Sequence, residues 1–474
     1  MKKMNEIGSG TETWRSIPGH VYDWKKTMQP ETAYRHDYSR KLTMKLFLSE
    51  PDGKGGSAAY CTFSQALRYV EETDRITRGI PKVIYLVGWQ YNGHDDQYPA
   101  WDEVNEQLKR PQDRTARDSY LWLVEEARNH HTTISVHANM TDAYDDSPLW
   151  EQYVKEDLLA RHEDGSLMQI GVYNDRAAYH ICPKREWESG MSVKRIDKLI
   201  RLLELDKAGT VHLDAYFPRD NAYHGITEAE ESAYIRRVIR YFNQCGVDVT
   251  SENFNHKRDD PFIGLQAWSW VLDQCDERHY LERPASLASG GVIRDYSTLD
   301  IPFRRDLEFL FGAGMHGEGI YLEAAKSGYA NWHDEFIEQF CLRMLYSLYL
   351  NRLDRLRMEG EGGERVVHYS GGHTVSLADR TLRCGDGRLL RDGDDVLLPA
   401  SWRQTPELIA FSKSGYSGKT WSLPPEWTGV EAVDLYEITA EGLTARKLGH
   451  RLEAGRLTLA LEPGVAVSVV PCDC

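Results

Sequence analysis

Four short runs of nearly unbroken apolar residues, each halting on polar groups, restrict this chain more than anything else in its sequence. They are Lys82-Val-Ile-Tyr-Leu-Val-Gly-Trp89, Thr132-Thr-Ile-Ser-Val-His-Ala-Asn139, Val211-His-Leu-Asp-Ala-Tyr216 and Val247-Asp-Val-Thr-Ser-Glu-Asn253. A strand with one wet face alternates apolar and polar residues, whereas a near-continuous run needs cover on both faces, as in a parallel sheet flanked by helices. Between the last two runs lies Glu228 to Gln244, with Tyr234, Ile235, Val238, Ile239 and Phe242 at helical spacings of three and four. Helical patterns also cover Ser64 to Ile76, Asp118 to Asn129 and Arg195 to Leu205. Strand alternating with helix over residues 79–358 predicts a (β/α)8 TIM-type barrel, whose chemistry gathers at the C-terminal ends of the strands.

The texture changes after a long amphipathic stretch from Asp334 to Arg355. From Glu359 onward, Gly and Asp turns separate short alternating runs such as Glu407-Leu-Ile-Ala-Phe-Ser412 and Arg456-Leu-Thr-Leu-Ala-Leu461. That pattern predicts an all-β sandwich domain over residues 359–474. Residues 1–78 are mixed and polar and are expected to pack against the barrel as an N-terminal segment. At 474 residues the chain exceeds what one ordinary core supports, so several domains are expected.

Charge narrows the partners. With 57 basic and 73 acidic residues the net charge is -16, which repels phosphate backbones and anionic lipid, so neither nucleic acid nor membrane is an expected partner. No apolar run approaches the roughly 20 residues that span a bilayer. Eight scattered cysteines and an N-terminus without an apolar h-region lead to the expectation of a cytoplasmic protein with reduced thiols. No cofactor and no metal site are expected, because the histidines lack ligand spacing. His94, Asp95, His137 and Asn139 at strand ends are the residues a metal would otherwise use. Aromatic residues are plentiful, with 26 Tyr and 13 Trp, and sugar clefts use such rings as apolar platforms with polar edges.

Two strand ends stop on carboxylates, Asp214 and Glu252. Glycoside hydrolysis with retention needs one ionised carboxylate as nucleophile and one protonated carboxyl as acid, about 5 to 5.5 Å apart. Neighbouring strands of a barrel offer that separation, which assigns attack on the anomeric carbon to Asp214 and proton transfer to Glu252. The alternative for each acid is an ordinary loop carboxylate satisfied by backbone N–H groups. His94 and Asp95 are placed to grip sugar hydroxyls, with Tyr173 and Tyr216 as platform candidates.

These segments, in order, resemble the catalytic core of glycoside hydrolase family 101, the endo-α-N-acetylgalactosaminidases. Leu86-Val-Gly-Trp-Gln-Tyr-Asn-Gly-His-Asp95 is similar to the family strand ending in Glu-Gly-His-Asp, and Val136-His-Ala-Asn139 to its His-Val-Asn-Ala strand. His212-Leu-Asp-Ala-Tyr216 resembles its Tyr-Val-Asp-Val-Trp, and Val249-Thr-Ser-Glu-Asn253 the strand bearing its acid/base Glu. Gly418-Lys-Thr-Trp-Ser-Leu-Pro-Pro-Glu-Trp427 is similar to a segment of the β-domain. The resemblance implies a retaining enzyme acting on α-linked N-acetylgalactosamine, as Gal-GalNAc or GalNAc, on glycopeptides or oligosaccharides. It implies Asp214 and Glu252 as catalytic residues, and Trp89, His94, Asp95, His137, Asn139, Tyr173, Asp175, Tyr216 and Asn253 as substrate-binding residues. Asp95 and His137 would line the subsite for the sugar. Where the family carries Gly-Trp-Asn-Trp-Leu-Asp, this chain has Gly171-Val-Tyr-Asn-Asp175. An α-galactosidase-like enzyme and a catalytically silent sugar-binding barrel are the alternatives.

Overall fold

The computed structural model describes residues 33–214, 216–251, 265–267, 281, 302–312 and 332–472. Glu252, Asn253 and most of the stretch from 254 to 331 therefore lie outside the described residues.

Six parallel strands form the first sheet: β1 (Leu42–Phe47), β2 (Lys82–Val87), β3 (Thr132–Ala138), β4 (Thr210–Leu213), β5 (Asp248–Ser251) and β6 (Leu265–Ala267). They are hydrogen-bonded in chain order, each beside its predecessor. The order has no reversal, unlike a doubly wound sheet, whose strand order reverses at a switch point. Among the described residues the sheet is open, with β1 and β6 at its edges. β1, β2, β4 and β5 are buried along their whole length, as their apolar runs require.

The helices are fixed by local signals. Phe63–Ile76, Ala116–Arg128 and Glu228–Gln244 each begin behind a threonine that accepts from the third helical N–H, while Gln65, Asp118 or Glu230 reaches back to the threonine N–H. This reciprocal cap satisfies two of the N–H groups that a helix start leaves without partners. Along Glu228–Gln244, the expected Ile235, Val238, Ile239 and Phe242 are all buried. They pack into one core with Val211, Leu213 and Val249 of the sheet.

Three expectations need correction. Within the segment expected to pack on the barrel, Leu42–Phe47 form β1, a strand of the sheet itself, paired in register with β2 from Leu42↔Lys82 to Phe47↔Val87. The polar residues around Leu42–Phe47 hide a six-residue strand with a single charge, Lys45. The long helix stops at Leu350 rather than Arg355 and consists of Trp332–Gln339, a π-turn at Phe340–Met344, and Leu345–Leu350. Arg355–Glu359 is already the first strand of the β-region.

The third correction concerns the sandwich. The C-terminal region is one ten-stranded antiparallel sheet, covered locally by a two-stranded ribbon of Tyr416–Ser422 and Arg456–Leu461. Ribbon residues Trp421, Leu457, Leu459 and Leu461 pack with Leu397, Leu408, Val433, Val467 and Val469 of the large sheet. The second layer is thus a ribbon rather than a full sheet. The large sheet is anchored to the N-terminal half through Glu407, which is buried and accepts from Arg78 Nε at 2.6 Å and Ser468 Oγ at 2.7 Å.

Candidate functional site

Parallel pairing brings three strand ends to one level. β3 and β4 pair His137 with His212 and Ala138 with Leu213, while β4 and β5 pair Leu213 with Ser251. Asp214 follows directly, its N–H still donating to the Ala138 carbonyl at 2.9 Å. Its carboxylate accepts from Asn139 Nδ2 at 3.3 Å and stands 3.5 Å from His137 Nε2. The Asp214 side chain keeps 21% of its surface exposed while His137 keeps 3%, so the carboxylate reaches solvent and the imidazole does not.

Burial opposes ionisation of Asp214, yet His137, Lys45 and His94 outweigh it and hold the carboxyl well below the usual carboxylate range. Lys45 is buried on β1, a strand that sequence reasoning missed. Its visible signal was a lone charge inside Leu42-Thr-Met-Lys-Leu-Phe47. Asp142 is the opposite case. Burial first, then the neighbouring Asp95 and Asp214, push its carboxyl well above the usual range, which favours its neutral form. Two carboxyl groups whose surroundings push them in opposite directions are the raw material of acid and base chemistry.

Asn139 orders this corner. Its Oδ1 accepts from the N–H of Thr141 at 2.7 Å and of Asp142 at 2.9 Å, while its Nδ2 serves Asp214. A carboxamide with both ends committed fixes the turn after β3 and the carboxylate after β4 together. Below this level the interior is polar. Tyr85 and Tyr38 both meet Thr210 Oγ1, at 2.7 and 2.9 Å, and His212 Nδ1 lies 2.8 Å from Thr250 Oγ1.

The loop after β2 supplies His94 and Asp95. Gly88 and Gly93 have positive φ and lie so close to Ser49 and Glu50 that an added Cβ would meet backbone atoms at 2.0 and 2.5 Å. Only glycine permits that approach. It seats His94 edge-on against His137, with ring centroids 5.2 Å apart, and against Phe47 at 5.6 Å. His94 Nε2 is 3.5 Å from Asp95 Oδ2. His94, His137 and Asn139 are therefore gathered around Asp214, with Asp95 beside His94. Among the described residues, no group of three or more His, Cys, Asp or Glu side chains is arranged to hold a metal ion.

A hairpin of Gln169–Tyr173 and Arg176–His180 borders the site. Its two-residue turn, Asn174-Asp175, has φ of 49° and 61°, the left-handed pair of a type I′ turn. Asn174 Nδ2 donates to the His94 carbonyl at 2.9 Å, tying the turn to the loop after β2. Tyr173 is 43% exposed and Val172 60%, so both present apolar surface to solvent. Burial, followed by Asp142, Asp214 and Asp95, pushes the Tyr173 phenol up, which places the ring beside the acidic cleft. Asp175 is exposed at the turn.

Two expected substrate contacts are corrected. Trp89 is fully buried, and its indole N–H donates to the His137 carbonyl at 2.8 Å. It positions the strand end from below instead of offering a face to sugar. Tyr216 is 3% exposed and packs in the core, so it is no platform either. In both cases aromatic residues beside polar loops read as surface, and only packing showed the rings turned inward. Trp89→Phe keeps the bulk and deletes one buried hydrogen bond. Stability is expected to fall by about 1 to 2 kcal/mol, with catalytic turnover reduced as His137 loosens. Denaturant unfolding and kinetics on the same sample check this.

Residues 54–272 match the family model of glycoside hydrolase family 101, described as endo-alpha-N-acetylgalactosaminidase. The match covers slightly under half of the chain. It contains the loop at His94, the strand ends at His137 and Asp214, and Glu252, while Lys45 precedes it. In solved structures, the chain is similar to the α-N-acetylgalactosaminidase NagBb from Bifidobacterium bifidum. A quadruple mutant and a GalNAc complex of that protein each match at TM-score 0.53 and 13% identity, covering 73% of this chain. The chain spans 57% of the length of NagBb. At that identity the likeness concerns the fold. No curated protein sequence matches the chain.

Proposed function

We propose that the protein is a retaining α-glycosidase that hydrolyses α-linked N-acetylgalactosamine, released as GalNAc or as Gal-GalNAc from glycopeptides or oligosaccharides. The observation that carries this reading is an ionised, solvent-reachable Asp214 one residue beyond the Leu213–Ser251 pair, with Glu252 the next residue after Ser251 in the chain. Neighbouring parallel strands run about 4.8 Å apart, and retaining glycosidases set their two carboxyl groups about 5 to 5.5 Å apart. The proposed fold around them is a closed (β/α)8 barrel, supported by six parallel strands in chain order.

In this mechanism Asp214 attacks the anomeric carbon as the glycosidic bond breaks, and Glu252 gives its proton to the leaving oxygen. The glycosyl–Asp214 ester is then cleaved by water, which passes a proton to Glu252 and restores both groups. Asp214 meets the needs of the nucleophile: its negative charge is stabilised before substrate arrives, and its carboxylate is held in direction by Asn139. His94, Asp95 and His137 line the sugar subsite, and Tyr173 offers a platform at the rim.

Aryl α-GalNAc, α-Gal and Gal-β-1,3-GalNAc-α glycosides form the test panel. Turnover is expected on at least one of the two GalNAc substrates, and proton NMR is expected to show the α-anomer as the first-formed sugar. A β-anomer would contradict retention, and turnover of α-Gal alone would replace the sugar assignment.

Lys45 provides a pH test. Asp214 is depressed by its neighbours, so its anionic form persists as pH falls and is lost only through its own low pKa. Lys45→Met removes one of those cations and raises that pKa. The acidic limb of kcat/KM, which reports the free enzyme's essential base, is then expected to move to higher pH. Activity at neutral pH should change by less than about tenfold, because Asp214 stays ionised there. A limb that does not move would remove Lys45 from the site.

A further inference from the structure

The proposed chemistry leaves unused a cavity of about 370 Å³ where the helical half meets the β-region, lined by Glu308, Phe309, Gln339, Tyr346, Arg380 and Arg391 among others. That volume is within the range of small-molecule sites, about 300 to 1,000 Å³. One wall is the π-turn Phe340–Met344, a wide helical turn that recurs at binding sites.

The polar groups of the cavity are unevenly satisfied. Arg343 and Glu308 form a two-pronged pair, and Lys413 Nζ meets Glu338 Oε1 at 2.5 Å. Arg391 is buried between rings, its guanidinium 4.5 Å from the Tyr346 centroid and 4.7 Å from Phe309. It donates to the Leu342 and Gly393 carbonyls, both at 2.8 Å, through Nη1 and Nε. Its Nη2 and the Nη2 of Arg380 approach Asp394 at 3.8 and 3.9 Å, beyond hydrogen-bonding distance. Arg380 also lies over Phe309, 4.6 Å from the centroid. In the same lining, Gln339 is 8% exposed and its Oε1 has no hydrogen-bond partner among the described residues. A buried amide oxygen without a donor costs free energy that a ligand hydroxyl would recover.

We infer that this cavity is a second binding site, separate from Asp214, for a hydroxylated carboxylate of monosaccharide size, that is, an acidic sugar. Its carboxylate pairs with Arg380 and Arg391 Nη2, and a ring hydroxyl donates to Gln339 Oε1. Two guanidiniums select the anion through paired N–H donors, and the orphan acceptor selects a hydroxyl over a bare acid. Asp394 is the resident counter-charge and competes with the ligand.

Glucuronate, glucose and acetate titrated into the full chain, followed by calorimetry and saturation-transfer NMR, test this. Glucuronate is expected to bind saturably, with acetate and glucose each weaker by about tenfold or more. Arg380→Gln and Gln339→Leu should each weaken glucuronate by about tenfold, whereas Asp394→Asn should tighten it, because a repelling charge is gone. Asp214→Asn should leave it unchanged, so this site and the catalytic reading can fail independently. Absence of saturable glucuronate binding, equal binding of acetate, or weaker binding in Asp394→Asn would overturn the inference. Circular dichroism of each variant confirms that it is folded before its affinity is compared.

Discussion

Asp214→Asn is expected to lower kcat/KM on the preferred aryl α-glycoside by about 10⁴-fold or more, the scale of losing a group that reacts covalently. The amide is nearly the same size and can still meet Asn139 and His137, so folding should be retained. What disappears is the negative charge that His137, Lys45 and His94 stabilise. Without it the anomeric carbon has no attacking anion. Truncation to Asp214→Ala should allow azide to take over the attack, giving the β-glycosyl azide, the inverted product. If Asp214→Asn retains more than about a tenth of wild-type activity, the nucleophile lies elsewhere. Azide rescue yielding an α-azide would instead place Asp214 in the acid/base role.

Arg195→Met is expected to produce the largest loss of stability, about 3 to 5 kcal/mol, because it strands a buried carboxylate. Arg195 is 4% exposed and donates to Glu186 Oε1 at 2.5 Å, to the Pro99 carbonyl at 2.8 Å and to the Asn139 carbonyl at 3.2 Å. Its guanidinium also lies 4.3 Å from the Trp101 ring centroid. Glu186, 1% exposed, keeps hydrogen bonds from Tyr153 and Ser192, and among the described residues no other cation pairs with it. The double variant Arg195→Met with Glu186→Gln removes both charges and should recover much of the loss. Chemical unfolding of the two variants against wild type measures this. Equal stability of the single and double variants would show that the buried charge is not the cause. Since Arg195 also holds the Asn139 carbonyl, turnover of the single variant should fall even below its melting temperature.

Much of this was legible from residue order. Period-3.6 apolar faces and four apolar runs located three of the helices and four of the parallel strands to within a few residues. They did so because these signals are local: a helical face repeats every three or four residues and a buried strand needs about six. Leu42–Phe47 escaped because a polar neighbourhood and Lys45 break the apolar run. Its strand character comes from pairing with Lys82–Val87, which is not written in its own six residues. The inward turn of Trp89 and Tyr216 escaped for the same reason, since a ring beside a polar loop has the same local sequence whether it faces the core or the cleft.

By itself the sequence determined that Asp214 closes a strand and that Glu252 follows a similar run. It also determined that His94, Asp95, His137 and Asn139 stand at the ends of other strands. Only the tertiary structure decided that His137, Asn139, Lys45 and His94 converge on one carboxylate and that burial pushes Asp142 towards its neutral form. Charge state depends on the summed field and desolvation from residues brought together by folding, at separations of a few ångströms that chain order does not encode. Strand ends are written residue by residue, whereas the electrostatic environment at those ends exists only once the sheet has assembled.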